Sequence, residues 1–279
     1  MSTMAMALMN AGLVSNANVQ PEPDQRFKHA PAVMSETFDM LKCNVNKYMF
    51  ISTKDVVEAL EKNGLKAIGA AQANTRTPYR RAYVKHLLTF EMTDVTVNIE
   101  GVKPQVMLLN SHDGTTSYQL FLGLYNTTTR MTAVVGANTF DVQRVMHKGN
   151  KSVDEIIFKA KNCIDGFADV LKTIDQMKAV ELSIEQQVEF AEQAIYARYA
   201  DLTVDPVQVL KPLNEYDTEQ NLWAVFNRVR TWVVDPASLQ QYVTARPVNL
   251  NNRKITTIRN ISKRVKLNRA IWDLTANYL

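Results

Sequence analysis

Residues 106–125 read VMLLNSHDGTTSYQLFLGLY and contain the pattern that decides the fold. Two apolar runs, 106–109 and 118–125, flank a polar segment, and Asp113-Gly114 inside that segment is a strong signal for a turn. The stretch therefore predicts two β-strands joined by a polar turn.

Further strands are predicted on both sides of this stretch, because runs rich in β-branched or aromatic residues alternate with Gly, Asn, Thr or Pro. One helix is expected among them, with Asn63-Gly64 as its stop signal. The predicted strands outside the opening stretch are 48–52, 82–91, 95–99, 131–135 and 140–146, and the helix is 54–62.

After Lys151 the spacing of apolar residues changes from two to about 3.6, which predicts helices. Ser152 is the expected N-cap of the first helix, and Ser183 with Gln186 forms a capping-box pattern before the second. The predicted helices cover 153–174, the stretch after Ser183, 221–234 and 261–278.

These elements predict an α+β fold, with a β-rich N-terminal half containing a mainly antiparallel sheet, packed with a helical C-terminal half. We expect an irregular N-terminal arm over 1–46, a β-rich subdomain over 47–148 and a helical subdomain over 149–279, within one globular unit. Trp223 and Phe226 share one face of a predicted helix and are expected to anchor the core.

Composition favours a cytoplasmic protein without a membrane partner. Of the 279 residues, 46% are apolar and 22% are charged, as in soluble globular proteins. The apolar runs are far shorter than the roughly 18 residues that span a bilayer, and the start of the chain lacks the basic region of a secretory signal. Cys43 and Cys163 have no CxxC spacing, which indicates free thiols.

Catalytic signatures are absent from the sequence, which has no phosphate-binding loop, dinucleotide motif, zincin motif or nucleophile elbow. We therefore expect no enzyme, no cofactor and no metal. Ser111, His112 and Asp113 together suggest a triad, but adjacent residues on a turn seldom adopt the geometry of one. A structural turn, a ligand or DNA contact through His112 and Asp113, and catalysis remain the three interpretations.

A basic segment with two tyrosines and no acid precedes one of the predicted strands. Such a segment can pair with phosphates while a tyrosine stacks on an unpaired base, which favours single-strand binding. The alternative is an exposed edge strand protected by basic side chains. The candidate binding residues are Arg76, Tyr79, Arg80, Arg81, Tyr83 and Lys85.

Positive charge is concentrated at the C-terminal end, where residues 246–279 contain eight basic residues and one acid. An asymmetry of this kind suggests an anionic partner, of which nucleic acid is the commonest. In the alternative, the charge is neutralised by residues 153–220, which hold fourteen acids and six basic residues. The C-terminal candidates are Arg246, Arg253, Lys254, Arg259, Lys263, Arg264, Lys266 and Arg269.

Four separated motifs resemble the phage- and plasmid-borne family called DUF 932, over about residues 48–278. They are the segments 108–118, 177–183, 222–229 and 265–272. The sequence departs from the family at 126–132, where members have an Arg and a Cys-Ser-Asn-Gly segment, so only Arg130 is carried over as a candidate. The chain also resembles the Drc-type single-stranded-DNA-binding transcription cofactors of lytic phages.

Basic segments and resemblance together favour a sequence-tolerant, phage-type protein that binds single-stranded DNA and assists phage transcription or replication. The resemblance implies phage RNA polymerase or other replication and transcription proteins as further partners, in the host cell cytoplasm. The sequence is also compatible with a homo-oligomer. The alternative function is a protein-interaction module, either a polymerase cofactor or a host-defence inhibitor, that does not contact DNA.

Overall fold

Six strands form one antiparallel sheet in a computed structural model of the chain, which describes residues 25–92, 102–127, 131–135, 143–199, 204–213, 217–236 and 256–279. Neighbouring strands follow the order β1-β2-β3-β4-β5, and β6 pairs with β4 beside β5. The strands are β1 (Leu65–Gln72), β2 (His86–Met92), β3 (Val102–Asn110), β4 (Tyr118–Asn126), β5 (Met131–Val135) and β6 (Gln143–Val145).

Most of the described helices follow the sheet in the chain, so the predicted α+β class is confirmed. Ser183 and Gln186 form the predicted capping box, in which each side chain accepts a hydrogen bond from the other residue's backbone N–H. The helices are α1 (Thr53–Lys62), α2 (Val153–Asp165), α3 (Phe167–Ala179), α4 (Ile184–Tyr199), α5 (Pro206–Val209), α6 (Leu222–Val234) and α7 (Ile261–Leu274).

The opening stretch forms the predicted pair of strands, β3 and β4, with Leu109 opposite Gln119. Their turn requires glycine at position 114, because Gly114 has a φ of 73°. A Cβ there would also lie 3.0 Å from the Cys43 sulfur. Local turn chemistry and the alternation of side chains thus fix this part of the sheet.

Several sequence predictions are wrong in detail. Residues 48–52 form no strand, because this segment leads into α1 and Ser52 caps it. Residues 78–82 form a 3-10 helix, so β2 begins only at His86. The single helix expected over 153–174 is divided at Gly166, and β1 was not predicted. The predicted strand 95–99 lies outside the described residues.

The two faces of the sheet are covered differently. Leu88, Val106 and Leu120 lie on the face that joins the main core with α1 and α2. Met107, Leu109, Phe121 and Val134 lie on the opposite face and form a smaller core with Ile261 and Val265 of α7. Among the described elements, α7 therefore covers much of the second face, and grooves run along this helix.

The helix α7 also contacts the helical half of the protein. Leu267, Ile271 and Trp272 on its other side belong to the main core, where α7 packs against α4 and α6. Trp223 and Phe226 of α6 are buried there, which confirms that they are core anchors. The basic residues of α7 are consequently held on a helix fixed from two sides.

Candidate nucleic-acid interface

A cleft of about 470 Å³ lies between the second face of the sheet and α7, and we call it the basic cleft. Four cations from three parts of the chain line it: Lys85 before β2, Arg144 in β6, and Lys266 and Arg269 in α7. Its other lining residues include Leu109, Thr115, Thr116, Gln119, Phe121, Ser262, Val265 and Asp273. The sequence predicted three of the four cations.

Register and helical spacing explain why these residues meet. The pairings Leu109–Gln119 and Gln119–Arg144 place three residues in one row across β3, β4 and β6. On α7, residues 262, 266, 269 and 273 follow one another at intervals of three or four and so share a face. Lys85 joins the sheet to the helix by donating a hydrogen bond of 2.7 Å to Ser262 Oγ.

The basic cleft has an excess of positive charge. None of its four cations forms a salt bridge with a carboxylate in the described ranges. Asp273 is the one acid in the lining; burial raises the pKa of its carboxyl, although Arg269 opposes the change. The cleft therefore presents cations with free donors to an incoming anion.

The acidic helices do not neutralise the basic face of α7 within the described part of the chain. The salt bridge that α7 forms there joins Arg264 to Asp235, with Nη2 and Oδ2 separated by 3.2 Å, and Asp235 lies outside residues 153–220. Lys263, Lys266 and Arg269 form no salt bridge with a described carboxylate. Ion pairs between the acids of 153–220 and the basic face of α7 are therefore absent among the described residues.

Two further clefts follow α7. The second cleft, of about 380 Å³, lies against β2, β3 and β5 and is lined by Arg259, Arg264 and Asn268 among others. The third cleft, of about 370 Å³, is lined by Arg198, Lys263 and Lys266 among others. The basic residues predicted on this helix therefore face grooves on several sides of it.

The predicted basic segment 76–85 forms the connection between β1 and β2 and ends at the basic cleft. Tyr79 is 48% exposed, and the Arg80 guanidinium lies 5.6 Å from the centre of its ring. Arg76 and Arg81 are exposed, whereas Tyr83 is half-buried. An exposed aromatic ring and several cations thus lie on the loop that leads into the cleft.

The polar turn contributes to the basic cleft through Thr115 and Thr116, not through His112 and Asp113. His112 is fully buried, and its Nε2 contacts Thr53 Oγ1 at 3.0 Å. Its side chain hydrogen-bonds neither Ser111 nor Asp113, so these three neighbours do not form a triad. Asp113 instead accepts hydrogen bonds from Thr115 and lies 3.4 Å from Lys42 Nζ.

A buried polar network surrounds Thr53 and was not predicted from the sequence. Thr53 Oγ1 lies 3.0 Å from His86 Nε2, His112 Nε2 and Tyr118 Oη, and 3.2 Å from Asn110 Nδ2. His147 extends the network, with its Nε2 placed 2.9 Å from Asn110 Oδ1. The network connects α1, β2, β3 and β4.

The histidines of this network are neutral at pH 7. Burial lowers the pKa of His86 to about 4 and that of His112 to about 2, and it also lowers the pKa of His147. Neutral rings can exchange hydrogen bonds with Thr53 without the cost of a buried charge. The arrangement is suited to holding the strands and α1 together.

Four of the predicted binding residues, Arg130, Arg246, Arg253 and Lys254, lie outside the described residues. Arg144 is the cation that sequence reasoning missed, because it is isolated in the sequence and its place depends on the pairing of β6 with β4. The signal that could have identified Arg144 is its position in a predicted strand, opposite the polar residue Gln119 of the neighbouring strand.

The fold and the basic cleft define an α+β protein with a cationic groove between its sheet and its C-terminal helix. The chain belongs to the family described as "Domain of unknown function (DUF932)", whose model matches residues 40–272. None of the described helices combines the length and apolarity needed to cross a bilayer.

Two relatives from Escherichia coli (strain K12) match almost the whole chain. The "UPF0380 protein YfjQ" is 29% identical over 259 residues, which cover 92% of this chain and 90% of that protein. The "UPF0380 protein YafZ" is 29% identical over 252 residues, covering 89% and 88%, respectively. No solved structure matches the chain.

Proposed function

We propose that the protein binds single-stranded DNA without base specificity, with the phosphate backbone lying in the basic cleft. The observation that carries this proposal is the convergence of Lys85, Arg144, Lys266 and Arg269 in one cleft without a carboxylate partner among the described residues. Unpaired cations in a groove attract a phosphate backbone and release its counterions.

Stacking of bases is assigned to the loop beside the cleft rather than to its floor. Phe121 is buried in the floor, where a base cannot reach the face of its ring. Tyr79 is exposed and lies on the loop that ends at Lys85, so a strand in the cleft can extend a base toward it. Base–aromatic stacking tolerates any sequence because every base has a π-face.

The resemblance to Drc-type cofactors supports the same proposal and extends it to a biological role. In that role the protein is of phage type, acts in the host cytoplasm, and assists phage transcription or replication. Phage RNA polymerase is then a further partner, and the bound strand is the template or a displaced strand. DNA binding itself is the part that the cleft supports and that a direct measurement tests.

Removing two cations from the cleft should weaken strand binding and its salt dependence together. We expect Lys266→Ala/Arg269→Ala to lower the affinity for a fluorescently labelled oligothymidylate about tenfold at low salt. The slope of log affinity against log salt should fall by about 1.4, since each phosphate contact in a single strand contributes about 0.7. Fluorescence anisotropy over a series of salt concentrations measures both values.

The matched control is Lys161→Ala/Lys178→Ala, which removes two exposed cations from α2 and α3. This pair changes the net charge equally but should leave the salt slope unchanged. Equal losses in both double variants would show that only net charge matters and would overturn the proposed interface. Binding of duplex DNA as tightly as single strands by the natural chain would overturn single-strand binding.

The second candidate function is a protein-interaction module. Exposed apolar side chains near the β3–β4 turn favour it. Met40, Leu41 and Val45 are 62%, 80% and 57% exposed and lie within six residues. Exposed apolar residues grouped in this way are typical of protein contact sites. Retention of a defined protein from nuclease-treated lysate, lost in Met40→Ser/Leu41→Ser, would support this function; equal retention by both forms would exclude this surface.

A further inference from the structure

Arg230 is a fully buried cation in the middle of α6. Its Nη1 lies 3.4 Å from Asn268 Oδ1, which is longer than an ordinary hydrogen bond. Its Nε and Nη2 have no hydrogen-bond partner in the part of the chain that the structure describes. A buried guanidinium is thus left with most of its donors unused, which is costly in a folded protein.

The neighbouring Arg228 shows which interaction the Nε–Nη2 edge of a guanidinium normally forms. Arg228 directs Nε and Nη2 at the carboxylate of Asp217, with distances of 3.1 and 2.9 Å to its two oxygens. This is the bidentate geometry that arginine forms with carboxylates and phosphates. In Arg230 the Nε and Nη2 atoms of the same edge have no partner among the described residues, and their geometry suits an anion with two oxygens.

The surroundings of Arg230 supply a second cation and a neighbouring cleft. Burial, followed by the charge of Arg264, lowers the pKa of Arg230 to about 9, and Asp235 opposes the change. Arg264 and Asn268 both line the second cleft. The Asn268 side chain therefore lies between the second cleft and the buried guanidinium. Arg264 lines the same cleft beside Asn268.

No acid occurs in the sequence from residue 236 to residue 272, so the chain following Asp235 offers no carboxylate to this edge before Asp273. Asp235 itself contacts Arg264 and Thr257. A planar bidentate edge beside a second guanidinium matches the oxygens of a phosphate group. We propose that Arg230, Arg264 and Asn268 form a phosphate-binding site beside the second cleft, in which the Asn268 side chain separates the cleft from Arg230.

The site does not depend on the proposed strand binding, because it fits a free phosphate as well as the terminal phosphate of an oligonucleotide. Thermal unfolding in sodium phosphate and in sodium chloride of equal ionic strength tests it, with circular dichroism as the readout. We expect phosphate at tenfold its dissociation constant to raise the Tm of the natural chain by about 3 °C.

Variants separate the site from the general stabilising effect of phosphate on proteins. Arg230→Met has a similar volume and no charge, and it should lose the phosphate-specific part of the shift. Arg230→Lys keeps a charge but lacks the bidentate edge, and most of the shift should be lost. The control Lys172→Met removes an exposed cation on α3 and should keep the full shift.

A phosphate shift in Arg230→Met equal to that of the natural chain overturns the proposal. Arg264→Gln removes the second cation of the site. Because Arg264 is partly exposed, this variant should fold, and it tests the site if Arg230→Met does not fold. An undiminished shift in Arg264→Gln overturns the proposal in that case.

The source of the phosphate is determined by comparing oligothymidylates with and without a 5′-phosphate. A preference for the phosphorylated strand that disappears in Arg230→Met assigns the site to strand ends. Equal affinities for the two strands, together with the Tm shift, assign it to a free phosphate.

Discussion

Acidification from pH 7 to about pH 4 is expected to remove most of the stability of the folded protein. Burial lowers the pKa of His86 to about 4 and that of His112 to about 2, whereas an unfolded histidine titrates near 6.5. Below about pH 6.5 the unfolded chain therefore binds protons that the folded chain does not. The stability present above that pH is lost progressively as the pH falls toward the folded-state values.

The size of this loss of unfolding free energy follows from the number of histidines that remain neutral in the folded protein. Each contributes about 1.4 kcal/mol per pH unit once the unfolded form is protonated, so His86 and His112 together contribute about 2.8 kcal/mol per unit, and the lowered pKa of His147 adds to this loss. Domains have total stabilities of about 5–15 kcal/mol. Unfolding is therefore expected between about pH 4 and pH 5.

Urea unfolding at a series of pH values, followed by circular dichroism, measures this dependence. His86→Gln should reduce the slope of unfolding free energy against pH by about 1.4 kcal/mol per unit below pH 6. His29→Gln is the control, because the side chain of His29 is exposed and outside the network. Identical slopes in the natural chain and in His86→Gln would show that His86 is not held neutral by burial.

Replacing Thr53 with valine is expected to destabilise the protein by about 3–6 kcal/mol, although the two side chains have nearly the same shape. The valine removes the hydroxyl that His86, His112 and Asn110 contact. Each buried polar group left without a partner costs about 1–3 kcal/mol. Tyr118 loses less, because its hydroxyl also donates to the Ile51 carbonyl.

Thr53→Ser is the matched comparison, since it keeps the hydroxyl and removes a methyl group. We expect it to cost about 1 kcal/mol. Urea unfolding at pH 7 measures both variants. A valine variant no less stable than the serine variant would mean that packing, and not hydrogen bonding, makes Thr53 important.

The sequence predicted the elements whose signals are local. Asp113-Gly114 marked the β3–β4 turn, Ser183 with Gln186 marked the start of α4, and the two apolar runs beside the turn located β3 and β4. These patterns work because turns, caps and apolar runs involve residues close together in the chain. The α+β class follows from their order.

Features that depend on residues far apart in the chain could not be predicted. The Thr53 network joins residues that are 33, 59 and 65 positions away from Thr53, and no spacing pattern connects them. Arg144 enters the basic cleft only through the pairing of β6 with β4. The strand β1 was missed because its sequence, LKAIGAAQ, is rich in residues with low strand preference.

Because α7 covers much of the second face of the sheet in the described part of the chain and carries some of the cations of all three clefts, the C-terminal end of the chain cannot be trimmed to obtain a folded protein that merely lacks the ligand contacts. A chain that ends before Ile261 would expose Met107, Leu109, Phe121 and Val134 as one apolar surface. Such a surface on a sheet promotes aggregation. Binding activity and solubility thus depend on the same helix. Substituting its residues, rather than deleting the helix, separates the two properties.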